Sequence, residues 1–125
     1  MFGINNEDLT MECTRGDAAV FSVGAKRNGA DYLFQPGDVV RFSVFEKKDC
    51  SKVVLQKDVT VTEETGLVEI RLTGEDTRIG DVISKPVEYW YEVEVNPETY
   101  PQTIIGYDEG GAKVFKLYPE SEVLI

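Results

Sequence analysis

The chain contains no histidine. That removes the side chain most often used as a general base near neutral pH, and the commonest ligand for zinc and copper. Cysteine is scarce: Cys13 and Cys50 are too few for a disulfide framework and lack the CxxC spacing of a metal site. Cys13 falls in phase with Leu9 and Met11 in "LTMEC" and is expected as a small buried hydrophobe. Cys50 lies in the polar connection "KKDCSK", and the two are expected to stay unpaired. No run approaches about 18 consecutive apolar residues, and the opening "MFGINNEDL" has neither a basic segment nor a long apolar stretch. The expectation is therefore a chain without signal peptide or membrane span that stays in the compartment where it is made. Basic residues are also in deficit, 13 against 23 acidic ones, for a net charge of −10. Such a charge repels phosphate backbones and anionic lipid surfaces, so neither nucleic acid nor membrane is expected as a partner.

The motifs of catalysis are missing as well. There is no G-x-S-x-G, no GxGxxG and no P-loop spacing, and a serine or Cys50 nucleophile would have no imidazole to activate it. The carboxylates offer many chances for an acid–base pair, but Glu88, Glu92, Glu94, Asp108 and Glu109 alternate outward on strands or sit in turns, where a solvated face is the expected role. "DEGGAK" lacks the alternating oxygen ligands of a calcium loop. No catalytic residue, cofactor or metal ligand is assigned, and the chain is not expected to be an enzyme.

What the sequence does contain, from end to end, is period-two alternation in short runs separated by Gly, Pro, Asp and Asn. Phe21, Val23 and Ala25 share a face in "AVFSVGAK"; Val40, Phe42 and Val44 do so opposite Arg41 and Ser43; Val68, Ile70 and Leu72 point inward in "GLVEIRL". "KVVLQKDVTV" alternates through Val53, Leu55, Val59 and Val61 but places Lys57 in phase, which marks an edge position or a bulge. "VEYWYEVEV" sets Val87, Tyr89, Tyr91, Val93 and Val95 against Glu88, Trp90, Glu92 and Glu94. "QTIIGYD" and "AKVFKLY" flank "DEGG", read as a tight hairpin. Only "LTGEDTRIG" looks helical, with Thr73 as cap and Asp76 as its partner, giving one short turn over 73–79. The whole length, 1–125, reads as a single all-β domain, with 1–8 a flexible N-terminus and 120–125 a C-terminal tail. About seven to nine short strands favour an antiparallel β-sandwich over a small barrel.

Two features invite a binding role. In "YWY" at 89–91, Trp90 stands alone among glutamates, and with Tyr100 and Tyr107 it could form an aromatic patch for a protein or a sugar ring; a covering loop is the plainer alternative. The tripeptide Arg15-Gly16-Asp17 could be an adhesion signal, but Gly-Asp just before a strand is ordinary turn chemistry, and a structural turn is expected.

The stretches "TRGDAAVFSVGAKRNGADYLFQPGDVVRFSVFEKKD" and "VTVTEETGLVEIRLTGEDTRIGDVISKPVEYWYEVEV", with the closing segment ending in a Tyr-Pro step, resemble the N-terminal domain of phage baseplate upper proteins. The resemblance rests on Arg15-Gly16-Asp17, on Gly37 through Val44 and on Trp90 to Val93; the prominent run "KVVLQKDV" departs from the pattern. It implies an immunoglobulin-like β-sandwich, and a structural or adaptor protein of a phage or prophage tail or baseplate. It further implies tail or baseplate proteins, or further copies of the chain, as partners. It also implies synthesis in the bacterial cytoplasm and incorporation in the virion. The alternative is a carbohydrate- or receptor-binding module using exposed aromatics or the RGD turn.

Overall fold

A computed structural model describes residues 1–120; residues 121–125, which make up most of the expected C-terminal tail, lie outside the described residues. The alternation becomes strands: β1 (Phe2–Ile4), β2 (Met11–Thr14), β3 (Ala19–Val23), β4 (Lys26–Arg27), β5 (Ala30–Asp31), β6 (Val39–Phe45), β7 (Val53–Thr60), β8 (Val68–Leu72), β9 (Val87–Val95), β10 (Gln102–Ile105) and β11 (Lys113–Tyr118). The larger sheet runs β1-β2-β11-β9-β6-β7, with β10 also paired to β9; the smaller is β3-β8, and β4-β5 forms a separate ribbon. All pairs are antiparallel except β2 with β11, which is parallel. The protein is an all-β sandwich.

The two sheets are joined by the side chains that period-two alternation places on their inner faces. Phe21 of β3 meets Phe42 of β6 edge-on, with ring centroids 5.2 Å apart, and Phe42 lies 5.7 Å from Tyr91 and 6.3 Å from Phe115. Such pairs contribute about 0.5–1.5 kcal/mol each beyond the area they bury. Cys13 is buried within this core, and neither it nor Cys50 is bonded to the other.

Several local expectations change. The N-terminus is tied down: Phe2 stacks on Phe21 at 5.6 Å, and β1 pairs with β2 through Phe2–Cys13, Gly3–Glu12 and Ile4–Met11. The expected flexible N-terminus, 1–8, thus contains a strand over Phe2–Ile4. The segment 73–79 is a turn, and the described residues contain no helix. Its capping signal is nonetheless used: Thr73 N donates to Asp76 Oδ2 (2.8 Å) and Asp76 N donates to Thr73 Oγ1 (3.1 Å), closing a single turn that no apolar stripe extends.

The "DEGG" hairpin is corrected in a way that shapes the molecule. Asp108 and Gly111 do exchange backbone hydrogen bonds, and Gly111 takes φ +90°, but β10 and β11 do not pair with each other. Both pair with β9 along one of its edges, β10 against Val93–Val95 and β11 against Val87–Tyr91, while β6 holds the other edge. Residues 106–112 therefore form a loop interrupting one strand line. Lys57 does mark an edge, because β7 ends the sheet, whereas the register irregularity lies at Val54, between the Val44–Leu55 and Phe45–Val53 pairs. The Lys57 ammonium, in phase with inward residues, donates to Asp76 Oδ2 at 2.8 Å. An inward charge on an edge strand is a known guard against edge-to-edge pairing.

Candidate functional site

Arg15, Gly16 and Asp17 form the turn between β2 and β3. Asp17 N donates to Thr14 O (3.0 Å), and Gly16 at φ +89° occupies the third position of a type II turn, which needs the left-handed region that glycine enters freely. The turn is docked rather than displayed. Arg15 is buried, 8% exposed, and donates to Ile79 O (3.3 Å), Gly80 O (2.7 Å) and Glu120 Oε1 (3.0 Å). Thr77, fully buried, accepts from Gly16 N (2.9 Å) and donates to Asp17 O (2.8 Å). A Cβ at Gly74 would fall 2.6 Å from Gly16 O, so the two loops touch backbone to backbone. Asp17 is paired with the amino group of Met1. With its guanidinium turned into the protein, the tripeptide presents no free arginine to a receptor.

The candidate aromatics Trp90, Tyr100 and Tyr107 come from three different segments. Trp90 is half-buried on the outer face of the larger sheet, in register with Phe45 on β6 and Val114 on β11. Beside it Glu92 faces Ser43, and Glu94 faces Arg41, whose guanidinium pairs with Asp58 (2.8 Å) and Glu98 (3.2 Å). Cys50 belongs to this face as well: burial, then the adjacent Glu92, pushes its thiol up to about 12. Tyr107, 80% exposed, is on the 106–112 loop. Tyr100, 71% exposed, lies beyond Val95, where β9 ends. Five strand residues separate Trp90 from that end, roughly 16–17 Å at the usual rise.

Tyr100 instead stands in a groove of about 490 Å³ at one end of the sandwich, within the size range of ligand sites. One wall is residues 24–27 with Tyr32; the other is Val95, Asn96, Tyr100 and residues 102–104. Lys26 and Arg27 of β4 stand on the first wall, and Gln102, Thr103 and Ile104 of β10 on the second. The walls are held firmly. Asn28 (φ +54°) and Gly29 (φ +79°) make the two-residue turn of the β4–β5 ribbon, with Lys26 opposite Asp31 and Arg27 opposite Ala30. Both φ values fit a type I′ turn, for which Asn-Gly is the favoured pair. Tyr32 packs edge-on against Phe34 (5.2 Å) and donates its hydroxyl to Asp38 Oδ2 at 2.9 Å. Asn96, at φ +51°, accepts from Val39 N (2.8 Å) and donates to Asp38 Oδ1 (3.1 Å). Burial acts to raise the Asp38 carboxyl, but hydrogen bonds from Gln35 N, Asn96 and Tyr32 outweigh it and hold it below the ordinary carboxylate value.

The lining carries Lys26 and Arg27 and no carboxylate, although acidic residues outnumber basic ones 23 to 13 in the chain. Among the described residues neither cation forms an ion pair, the nearest sequence partner being Asp31 across the ribbon. Tyr100 is thus the one expected site residue that the fold brings to a groove, while Lys26, Arg27 and Tyr32 were not anticipated. The signal that could have found them is Asn28-Gly29, a hairpin dipeptide.

No group of three or more His, Cys, Asp or Glu side chains is gathered for a metal among the described residues. Among those residues, too, no helix is long and apolar enough to cross a membrane. Compared with known proteins, the chain matches no family model, no curated protein and no solved structure.

Proposed function

We propose that the chain is a non-enzymatic adaptor that works through protein–protein contacts in a phage or prophage tail or baseplate. The observation that carries this reading is the groove at the end of the sandwich, where strand β10, an exposed Tyr100 and two cations without an ion-pair partner among the described residues form a surface suited to recognition. The phage setting comes from the resemblance carried by Arg15-Gly16-Asp17, Gly37 through Val44 and Trp90 to Val93. An immunoglobulin-like topology belongs to the same proposal. It is supported by the order β11-β9-β6-β7, which parallels the G, F, C and C′ strands of such sandwiches, with β3 and β8 in the places of B and E. Assembly in the bacterial cytoplasm and carriage in the particle go with it.

The test is co-expression with the proteins encoded beside it, followed by size-exclusion chromatography with light scattering. A co-migrating complex, or a defined homo-oligomer, is expected, with a standard interface of about 1,600 Å². A monomer that captures none of those proteins counts against the proposal. One observation favours a second reading: the open Tyr100 ring and Gln102 line the same groove, a combination able to stack on and hydrogen-bond a sugar. A glycan array that is blank for the wild type removes it.

A further inference from the structure

We propose that the groove seats an extended, acidic peptide segment of a partner protein, added as a further strand along the free edge of β10. The inference rests on the adaptor reading and specifies its partner chemistry. Strand order supplies the first reason. Among the described residues β10 pairs only with β9, and none of them takes the place beside it that β2 takes beside β11, since β2 covers only Met11–Thr14 and the chain turns away at Leu9, φ +61°. The sheet therefore has a notch along Gln102–Ile105, whose register with β9 shifts between Thr103 and Ile105 and whose other edge has no strand partner among the described residues. An unpaired edge is a ready template for strand addition, with main-chain hydrogen bonds supplying affinity.

Charge supplies the second reason. Lys26 and Arg27 are exposed and line the same groove as Gln102, Thr103 and Ile104 of β10, with no carboxylate among the described lining residues, inside a chain of net charge −10. A cationic notch in an acidic protein selects an anionic segment and rejects the protein's own surface. The Asn28-Gly29 turn fixes where the two cations stand, and Tyr100 and Ile104 offer an aromatic and an aliphatic contact for the alternate side chains of the incoming strand.

The experiment is fluorescence anisotropy of a labelled, end-blocked peptide of alternating glutamate and valine, titrated with the full chain at low salt. Three comparison probes accompany it: the same peptide with alternate amides N-methylated, its lysine-for-glutamate counterpart, and an oligogalacturonate. The acidic peptide is expected to bind. N-methylation, and the double variant K26E/R27E with its melting temperature checked, should each weaken binding at least about tenfold. Equal binding of the N-methylated peptide overturns strand addition, tighter binding of the oligogalacturonate makes the groove a sugar site, and no binding at millimolar concentration overturns the assignment outright. Capture of neighbouring tail proteins by wild type and K26E/R27E alike sinks the groove assignment and leaves the adaptor reading standing. Peptide binding without any such capture does the reverse.

Discussion

Thr77→Val is the sharpest test of the claim that Arg15-Gly16-Asp17 is a docked turn. Valine has nearly the volume of threonine, so no cavity opens, but the hydroxyl that accepts from Gly16 N at 2.9 Å and donates to Asp17 O at 2.8 Å is gone. Thr77 is fully buried and the two loops meet at backbone distance, so the freed groups have little room to recruit water. An unsatisfied buried group costs about 1–3 kcal/mol; with Gly16 and Asp17 only partly buried, we expect about 2 kcal/mol in total. For a chain of this size that lowers the melting temperature by roughly 6–12 °C. Thr77→Ser keeps the hydroxyl and loses one methyl, about 1 kcal/mol. Thermal and urea unfolding of both variants measure the difference. A valine variant within about 0.5 kcal/mol of wild type, or one more stable than the serine variant, refutes the docked-turn reasoning.

Three further outcomes follow from the same contacts. Lys57→Val removes the inward charge on edge strand β7 and its bond to Asp76; light scattering should show concentration-dependent association beyond that of the wild type, and an unchanged assembly state argues against the guarding role. Asp38, Asp58 and Asp76 all hold carboxyls below their ordinary value, Asp58 through Arg41, and Asp76 because Lys57 and Thr73 outweigh burial. Their stabilisation is present above the unfolded value near 4 and is lost as pH falls through the lower folded values, so melting temperature should drop below about pH 4, less steeply in Asp38→Asn. With burial and then Glu92 pushing the Cys50 thiol up to about 12, a thiol reagent at pH 8 should label it slowly, and Glu92→Gln should speed labelling without unfolding; equal rates would show that Glu92 does not act on the thiol.

The inner faces of the sandwich were legible because alternation is a local signal: Val40, Phe42 and Val44, or Tyr89, Tyr91, Val93 and Val95, are buried in the pattern their spacing predicts. Lys57 as an edge marker was legible for the same reason. Pairing partners were not. The "DEGG" turn forms, yet nothing local reveals that the segments on either side both add to β9. The placement of the N-terminus was not legible because its anchors, the Phe2 ring on Phe21 and the ladder with β2, join it to residues distant in sequence. The groove is the hardest case, because its walls come from residues 24–32 and 95–104 and meet only in the fold. Of those walls the sequence singled out Tyr100, and grouped it with Trp90, from which a strand's length separates it.

The central claim, that the edge of β10 is where a partner strand joins, is tested most directly by backbone hydrogen exchange. The amides of Gln102–Ile105 should exchange quickly in the free chain wherever they point away from β9, and slow markedly when the acidic peptide or a captured tail protein is bound. Protection confined instead to the outer face around Trp90, with residues 102–105 unchanged, would contradict it.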